Sequence, residues 1–279
     1  MGGPRVSVIM NCLNGERYLR EAMESVFAQT YTDWEIVFWD NASTDASAEV
    51  AKGYGDRVRY FRSEETCSLG KARNLAIAQA RGEYVALLDC DDAWLPEKLD
   101  KQVPLGDADP LVSLIYSDSF FIDQDGAVIG RSFKQAPPPP GDAFIGLLTR
   151  RNFIPCLTIL MRRTVVEKVG GFNPALGYAE DFDLSLRILR EHKAAFVREP
   201  LAQYRLHSGA ITAAGLPSST MEGIWVIKET AKSLPALSLH NRWAIRRRLI
   251  GLWCKLVVQR LRLWRGGCIG RPTVPHRLS

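Results

Sequence analysis

Apolar and polar positions change period along the chain, and each change marks an element. Residues 6–10 form a β-branched run that breaks at Asn11-Cys12-Leu13-Asn14-Gly15, which predicts a strand and then a loop. Residues 16–29 carry Leu19, Met23, Val26 and Phe27 at helical spacing. Residues 35–39 predict a strand ending at Asp40, and Ser43 or Thr44 stands where it can cap a helix reaching about Lys52. A strand at 58–61, a helix at 70–80 and a continuous apolar strand at 84–88 complete the alternation. Strand and helix taking turns in this way predict an α/β fold with a mainly parallel sheet. In such sheets ligands lie beyond the carboxyl ends of strands. Those ends hold residues 11–14, Asp40 and residues 89–92.

The second half has a different pattern. Residues 111–122 are long and strand-like, and Asp123-Gln124-Asp125-Gly126 turns them back into Val128 and Ile129, a predicted hairpin. Four prolines at 137–140 require an extended loop, and a short helix is predicted at 141–150. Residues 156–161 predict a strand, and 164–169 a short helix ended by Gly170-Gly171. A helix is predicted at 181–192, a strand at 194–204, and helical structure across 217–265.

Chemistry concentrates after the fourth strand. Asp89 and Asp91 alternate to one side of an extended chain, so two hard oxygen ligands point at one spot. That pattern suits Mg²⁺ or Mn²⁺ with phosphate oxygens completing the shell. Asp92 also fits as an N-cap for a helix starting at Ala93. Glu180, Asp181 and Asp183 read, on composition alone, as acids favouring the start of a helix.

These segments carry a resemblance. Gly70-Lys71-Ala72-Arg73-Asn74 is followed by residues 80–99, with Leu87-Leu88-Asp89-Cys90-Asp91-Asp92 and Trp94-Leu95-Pro96-Glu97-Lys98. With Val8-Ile9-Met10-Asn11-Cys12-Leu13-Asn14 and Trp39-Asp40-Asn41-Ala42-Ser43-Thr44-Asp45 before them, they resemble the family 2 glycosyltransferases of the GT-A fold. Gly170-Gly171-Phe172, Glu180-Asp181-Phe182-Asp183-Leu184 and Tyr204-Arg205-Leu206-His207 follow in the matching order.

The resemblance implies a catalytic domain over residues 1–215 and inverting transfer of a sugar from a nucleotide sugar to an acceptor hydroxyl. UDP- and dTDP-sugars are the expected donors, and a polysaccharide or lipid-linked glycan the expected acceptor. It implies that Asp40 holds the base and that Cys12 and Leu13 line the base and ribose pocket. Arg73 is implied near the pyrophosphate or the carboxylate cluster. Asp89 would contact ribose and metal, and Asp91 would be the main ligand for Mn²⁺ or Mg²⁺. His207 is implied as a third ligand or a phosphate contact. Asp181 would be the catalytic base, with Glu180 its nearest rival. Leu13 replaces the usual aromatic, and Asn11-Cys12 replace a common Pro-Thr. A catalytically silent sugar-nucleotide-binding or scaffold protein is the competing reading. A nucleotidyltransferase is disfavoured, because no glycine-rich loop follows the first strand.

Charge changes the picture at the C-terminus. The formal net charge is +5, yet residues 230–279 hold 11 basic side chains and no acidic one, against 25 basic and 31 acidic in residues 1–229. Residues 216–279 thus read as a basic helical extension to an acidic body. On a wheel of about 100° per residue, Ile245, Leu249, Leu252, Trp253, Leu256 and Leu263 share one side of 243–265, while Arg247, Arg248, Lys255, Gln259 and Arg262 share the other. Such a helix either packs on the domain or lies on an anionic membrane surface. A nucleic-acid partner is not expected, since no fold for it is recognisable. No apolar run of about 18 residues predicts a spanning helix. The N-terminus lacks the features of a signal peptide. Cysteines 12, 67, 90, 156, 254 and 268 form no regular framework and read as reduced thiols of a cytoplasmic protein.

Overall fold

A strand buried at every position needs hydrogen-bonded neighbours at both edges and cover on both faces. Val6–Cys12 (β1) is such a strand. The computed structural model, which describes residues 3–135, 138–139, 141–207 and 216–265, gives it both. The chain continues through α1 (Glu16–Phe27), β2 (Trp34–Asp40), α2 (Ser47–Lys52), β3 (Val58–Arg62), α3 (Leu69–Ile77), β4 (Tyr84–Leu87), β5 (Ala93–Trp94) and α4 (Lys98–Ala108). The second half adds β6 (Val112–Ile122), β7 (Val128–Arg131), α5 (Ser132–Gln135), α6 (Ala143–Thr149), β8 (Leu160–Arg162), α7 (Arg163–Lys168), α8 (Glu180–Leu189) and β9 (Lys193–Arg205). Two helices, α9 (Leu216–Lys232) and α10 (Leu239–Arg265), close it.

The sheet order is β3-β2-β1-β4-β8-β6-β9-β5, with β7 beside β6. Strands β3, β2, β1 and β4 are parallel, as the alternation predicts. Beyond β4 the sheet is mixed: β8 runs antiparallel to both β4 and β6, and β6 and β9 are parallel. One face is covered by α1 and α4 through Leu19, Met23, Val26, Leu99 and Val103. The other is covered by α3, α6 and α8 through Ala72, Ala76, Leu147, Leu148, Phe182 and Leu186.

Several sequence expectations need correction. Cys156 does not begin a strand. Cys156–Thr158 is a 3-10 turn, and the strand starts at Leu160. Neither Ser43 nor Thr44 caps α2, whose N-cap is Ala46, because Ser43 is already used by the loop after β1. Asp92 caps no helix, since Ala93–Trp94 pairs with β9 as a two-residue strand and α4 starts at Lys98. The predicted helical run 217–265 is broken at 233–238. Pro137 and Pro140 of the proline loop lie outside the described residues, as does the chain beyond Arg265.

The last two helices are packed on the sheet domain. Val226 and Ile227 of α9 and Ile245 of α10 join the core cluster built on α3, α6 and α8. Glu222 of α9 accepts from the backbone N–H groups of Gly177 (3.0 Å), Tyr178 (2.8 Å) and Ala179 (3.0 Å). One carboxylate thus fixes the loop that enters α8. Charge-assisted bonds of this kind are the strong ones. We predict that Glu222→Ala lowers stability by about 1–3 kcal/mol in urea unfolding, because three N–H groups lose their acceptor.

Candidate active site

Strands β1, β2 and β4 end side by side, and their loops form one rim. The loop after β1 is tied to the loop after β2. The N–H of Asn14 donates to Ser43 Oγ (3.0 Å), that of Gly15 to Ser47 Oγ (3.0 Å), and that of Glu16 to an Asp45 carboxylate oxygen (3.0 Å). In return Asn14 Oδ1 accepts from the N–H of Thr44 (2.8 Å), which holds Asn14 in the left-handed region at φ 54°. Asparagine tolerates this backbone better than most residues. Gly15 has no alternative: a Cβ there would lie 2.6 Å from Cys90 Sγ and 2.8 Å from Cys12 Sγ.

Arg73 is the centre of the site. It is 2% exposed, near the start of α3. Its Nη2 donates to Asp89 Oδ1 (2.7 Å), after β4, and its Nη1 to Glu180 Oε1 (2.8 Å), at the start of α8. Burial alone would favour the neutral form, but Asp89 and Glu180 hold the guanidinium charged, well above its ordinary value. Glu180 is itself raised, by burial, against the opposing charge of Arg73. Asp181 follows in the first turn of α8 and lines the cleft. Burial and the charge of Glu180 push its carboxyl up to about 7. Two adjacent acids are thereby separated: Glu180 is paired with Arg73, whereas Asp181, among the described residues, accepts a hydrogen bond from the backbone N–H of Phe182 (2.7 Å) and no side chain.

The second cluster forms at Asp91. Its Oδ2 lies 2.9 Å from Nε2 of His207, two residues after β9. Burial and the charge of Asp89 raise the Asp91 carboxyl. Asp92 is buried behind it, accepts from the N–H of Arg205 (2.8 Å) and is raised well above the usual range by burial and by Asp91. Among the described residues no three His, Cys, Asp or Glu side chains gather closely enough to hold an ion by themselves. Asp89 is turned toward Arg73 instead. The donor set still fits a hard cation, because one or two carboxylates sharing an ion with phosphate oxygens is the usual arrangement for Mg²⁺. Asp91, which lines the cleft beside His207, could hold such an ion.

A cleft of about 760 Å³ joins these groups. This is the size of a typical ligand pocket. Cys12, Leu13, Arg73, Asp89, Asp91, Glu180, Asp181 and His207 all line it. Asp40 is not among the lining residues. It is fully buried and its oxygens are engaged by the Tyr60 hydroxyl (2.6 Å), Arg62 Nη1 (2.6 Å) and the Ser43 N–H (2.7 Å). Burial would raise its carboxyl, but Tyr60, Ser43 and Arg62 hold it below the ordinary value.

Three further residues belong to this site, and no role was assigned to them from the sequence. Arg205 is 2% exposed, lies 4.5 Å over the Tyr18 ring and donates from Nε to the Asp91 carbonyl (2.9 Å). Its signal was its place two residues before His207. Tyr18 lines the cleft with an unpartnered buried hydroxyl. Asn11 lines the floor, 6% exposed, with neither side-chain polar atom bonded. A polar residue where the resemblance expects proline was the clue to Asn11.

The ion pairs of Arg73 give a direct prediction. Arg73→Met leaves two carboxylates without their shared cation. We expect a loss of about 3–5 kcal/mol in denaturant unfolding at pH 7.5, as when one partner of a buried pair is removed.

Comparison with known proteins agrees with this geometry. The sequence profile described as "Glycosyl transferase family 2" matches residues 7–170. An uncharacterized glycosyltransferase of Rickettsia felis is 35% identical over 209 residues, 74% of this chain but only 35% of that protein's length. A Bacillus subtilis protein named for teichuronic acid biosynthesis, glycosyltransferase TuaG, is 30% identical over 216 residues, covering 75% of this chain and 82% of its own. Among solved structures, S. aureus TarS 1–349 in complex with UDP-GlcNAc superposes with a TM-score of 0.70 at 20% identity, over 86% of this chain and 70% of that one. The mannosyltransferase PcManGT of Pyrobaculum calidifontis, in complex with GDP-Man and Mn²⁺, gives 0.67 at 19% identity, over 92% of this chain and 76% of that one. The profile match covers more than half of the sequence, and the structural matches share its fold: the chain belongs to glycosyltransferase family 2 and has the GT-A fold.

Proposed function

We propose that the protein transfers a sugar, with inversion, from a nucleotide sugar to an acceptor hydroxyl in the assembly of a polysaccharide or lipid-linked glycan. The observation that carries this reading is the Arg73 bridge. It holds a free-facing acid of about 7, Asp181, in the same cleft as Asp91 and Asp89. A base poised near the working pH is what abstraction of a hydroxyl proton needs. Asp181 takes the proton of the acceptor hydroxyl. The oxygen forms its bond to the sugar C1 from one face as the bond to the diphosphate oxygen breaks on the other. Glu180, held by Arg73, keeps Asp181 raised and α8 in place. Cys12, Leu13 and Asn11 line the floor for the nucleoside, and Asp40 shapes that floor from beneath through Tyr60, Arg62 and Ser43. A bound Mg²⁺ or Mn²⁺, held by Asp91 with Asp89 and His207 beside it, would neutralise charge on the diphosphate leaving group.

Support for the donor class comes from the UDP-GlcNAc, GDP-Man and Mn²⁺ of the structural neighbours, and for the product class from the name of the teichuronic acid relative. UDP- and dTDP-sugars are our leading donors. The cytoplasm is our assigned compartment, from the cysteine pattern.

The test is a thermal-shift screen of UDP-, dTDP- and GDP-sugars with Mn²⁺. A ligand at about 100 times its Kd adds about 2.7 kcal/mol of stability, an easily read shift. We expect a uridine or thymidine donor to raise Tm; no shift from any of them would overturn the reading. Asp91→Ala should lose the Mn²⁺-dependent part of that shift.

Asp181→Asn should keep the donor-induced shift and lose transfer by about 10²–10⁴-fold, the usual contribution of a positioned base. The sign of the pH dependence follows from the raised carboxyl. Below about 7 Asp181 is protonated and cannot accept, so kcat/KM rises with pH through that value. The residual rate of Asp181→Asn should lack this limb. A limb retained in the variant assigns the base elsewhere.

A further inference from the structure

The sequence predicts one apolar arc on the last helix, and the structure shows two. Ile245 and Leu256 are buried, and Leu249 and Leu252 pack beside them on the domain. Trp253, expected in that arc, is 48% exposed, and the side chain of Leu263 lies outside the described residues. Trp253 belongs to a second stripe. Trp243, Ile250, Val257 and Leu261 are 59%, 64%, 53% and 52% exposed. At about 100° per residue these five positions fall within about 80°, in a sector that begins about 40° from Leu249 at the border of the packed arc. Trp253, at that border, has Lys228 of α9 5.5 Å over its ring, and the other four face outward beyond it.

The stripe has a charged border of one sign. Arg242 and Arg260 lie along one edge and Arg247 along the other, with Arg246 inside the sector, and all four are exposed. The helix contains no acidic residue in 27. An ordinary solvated face would carry polar groups where these large apolar side chains stand. A face meeting a second copy would set arginines against arginines, which like-charge repulsion opposes. Apolar side chains including tryptophan, bordered by arginine and free of acid, match the interface of a bilayer rich in anionic lipid.

We propose that the outward stripe of α10 is a peripheral docking surface for an anionic membrane. No described helix is long and apolar enough to cross a membrane, so the contact is interfacial. The packed arc ties this surface to the cleft. Arg248 lies 5.3 Å over the ring of Phe182, the residue after Asp181, and donates to the carbonyl of Leu147. Docking through α10 is therefore joined by direct contact to α8, the helix that begins with Glu180 and Asp181, and a lipid-linked acceptor would be presented at the same surface. That last step rests on the proposed transfer reaction, and the docking itself does not.

The test is co-sedimentation of the full chain with vesicles of phosphatidylcholine alone or mixed with phosphatidylglycerol. We expect binding to the mixed vesicles that weakens as NaCl is raised, and at least about tenfold weaker binding to phosphatidylcholine. The triple variant Trp243→Ser, Ile250→Ser, Val257→Ser should lose binding by at least about tenfold while its Tm and its donor-induced shift stay unchanged. Arg246→Gln with Arg247→Gln should weaken binding to the anionic vesicles alone. Absence of binding to the mixed vesicles, or equal binding by the triple variant, overturns the proposal. So does a dimer in solution that the triple variant abolishes, or tight binding of these residues by the chain beyond Arg265, read as binding that appears only on its truncation. If vesicles bind and no nucleotide sugar does, the docking stands and the transfer reaction falls.

Discussion

A buried guanidinium shared by two carboxylates is the interaction on which the rest of the site depends. Arg73 stands on α3, Asp89 after β4 and Glu180 at the start of α8, 107 residues away from Arg73 in sequence. Without its charge, two acids facing one cleft would repel or take up protons. With it, the half of the sheet that ends in the carboxylate cluster is joined to the helix that carries the candidate base. Arginine suits this place because its planar fork reaches two acceptors at once and keeps its proton when buried. The pairing also divides labour between neighbours: Glu180 is spent on structure, so Asp181 is left as the acid near neutrality.

The bridge is held in turn by a third carboxylate further out. Glu222 gathers the three N–H groups just before α8, and α9 brings Glu222 there by packing Val226 and Ile227 into the core. Helix α10 then packs on α9 and α6 from outside. Position of the candidate base is thus set by a chain of contacts running from α3 to the last helix. A disturbance at α9 reaches Asp181 through the backbone of residues 177–179 rather than through solvent.

The parallel half of the fold was legible because β1, β2 and β4 are buried on both faces and its helices keep a 3.6-residue period. The mixed half was less so. Strand β8 has three residues and is placed by β4 and β6, not by its own pattern. The motif residues around the cleft were readable as types, but their partners were not. Asp40 looks from sequence like an open carboxylate at a strand end. In the structure it faces Arg62, its register partner on β3, and Tyr60 beside it. Asp92 looks like a helix cap because three acids in four residues precede an apolar run. Pairing of Ala93 and Trp94 with β9 puts it behind Asp91 instead, bonded to the backbone of Arg205. Both placements have one source: long-range strand pairing decides which way each side chain turns, and local spacing does not carry it.

The basic tail shows the same limit from the other direction. A helical wheel ranks positions by type and cannot say which apolar residues a neighbouring helix will cover. Helix α10 has apolar residues over most of its circumference, so packing and exposure compete for them. Contact with α6 and α9 takes Ile245, Leu249, Leu252 and Leu256. The remainder, with two tryptophans among it, is left outward among arginines. An excess of 11 positive charges needs no nucleic acid to explain it if the helix meets lipid phosphate on that side. The acidic body and the basic end then serve one geometry. Carboxylates at strand ends would manage a cation and a diphosphate inside the cleft, and arginines on the last helix would hold the cleft beside the surface that presents the acceptor.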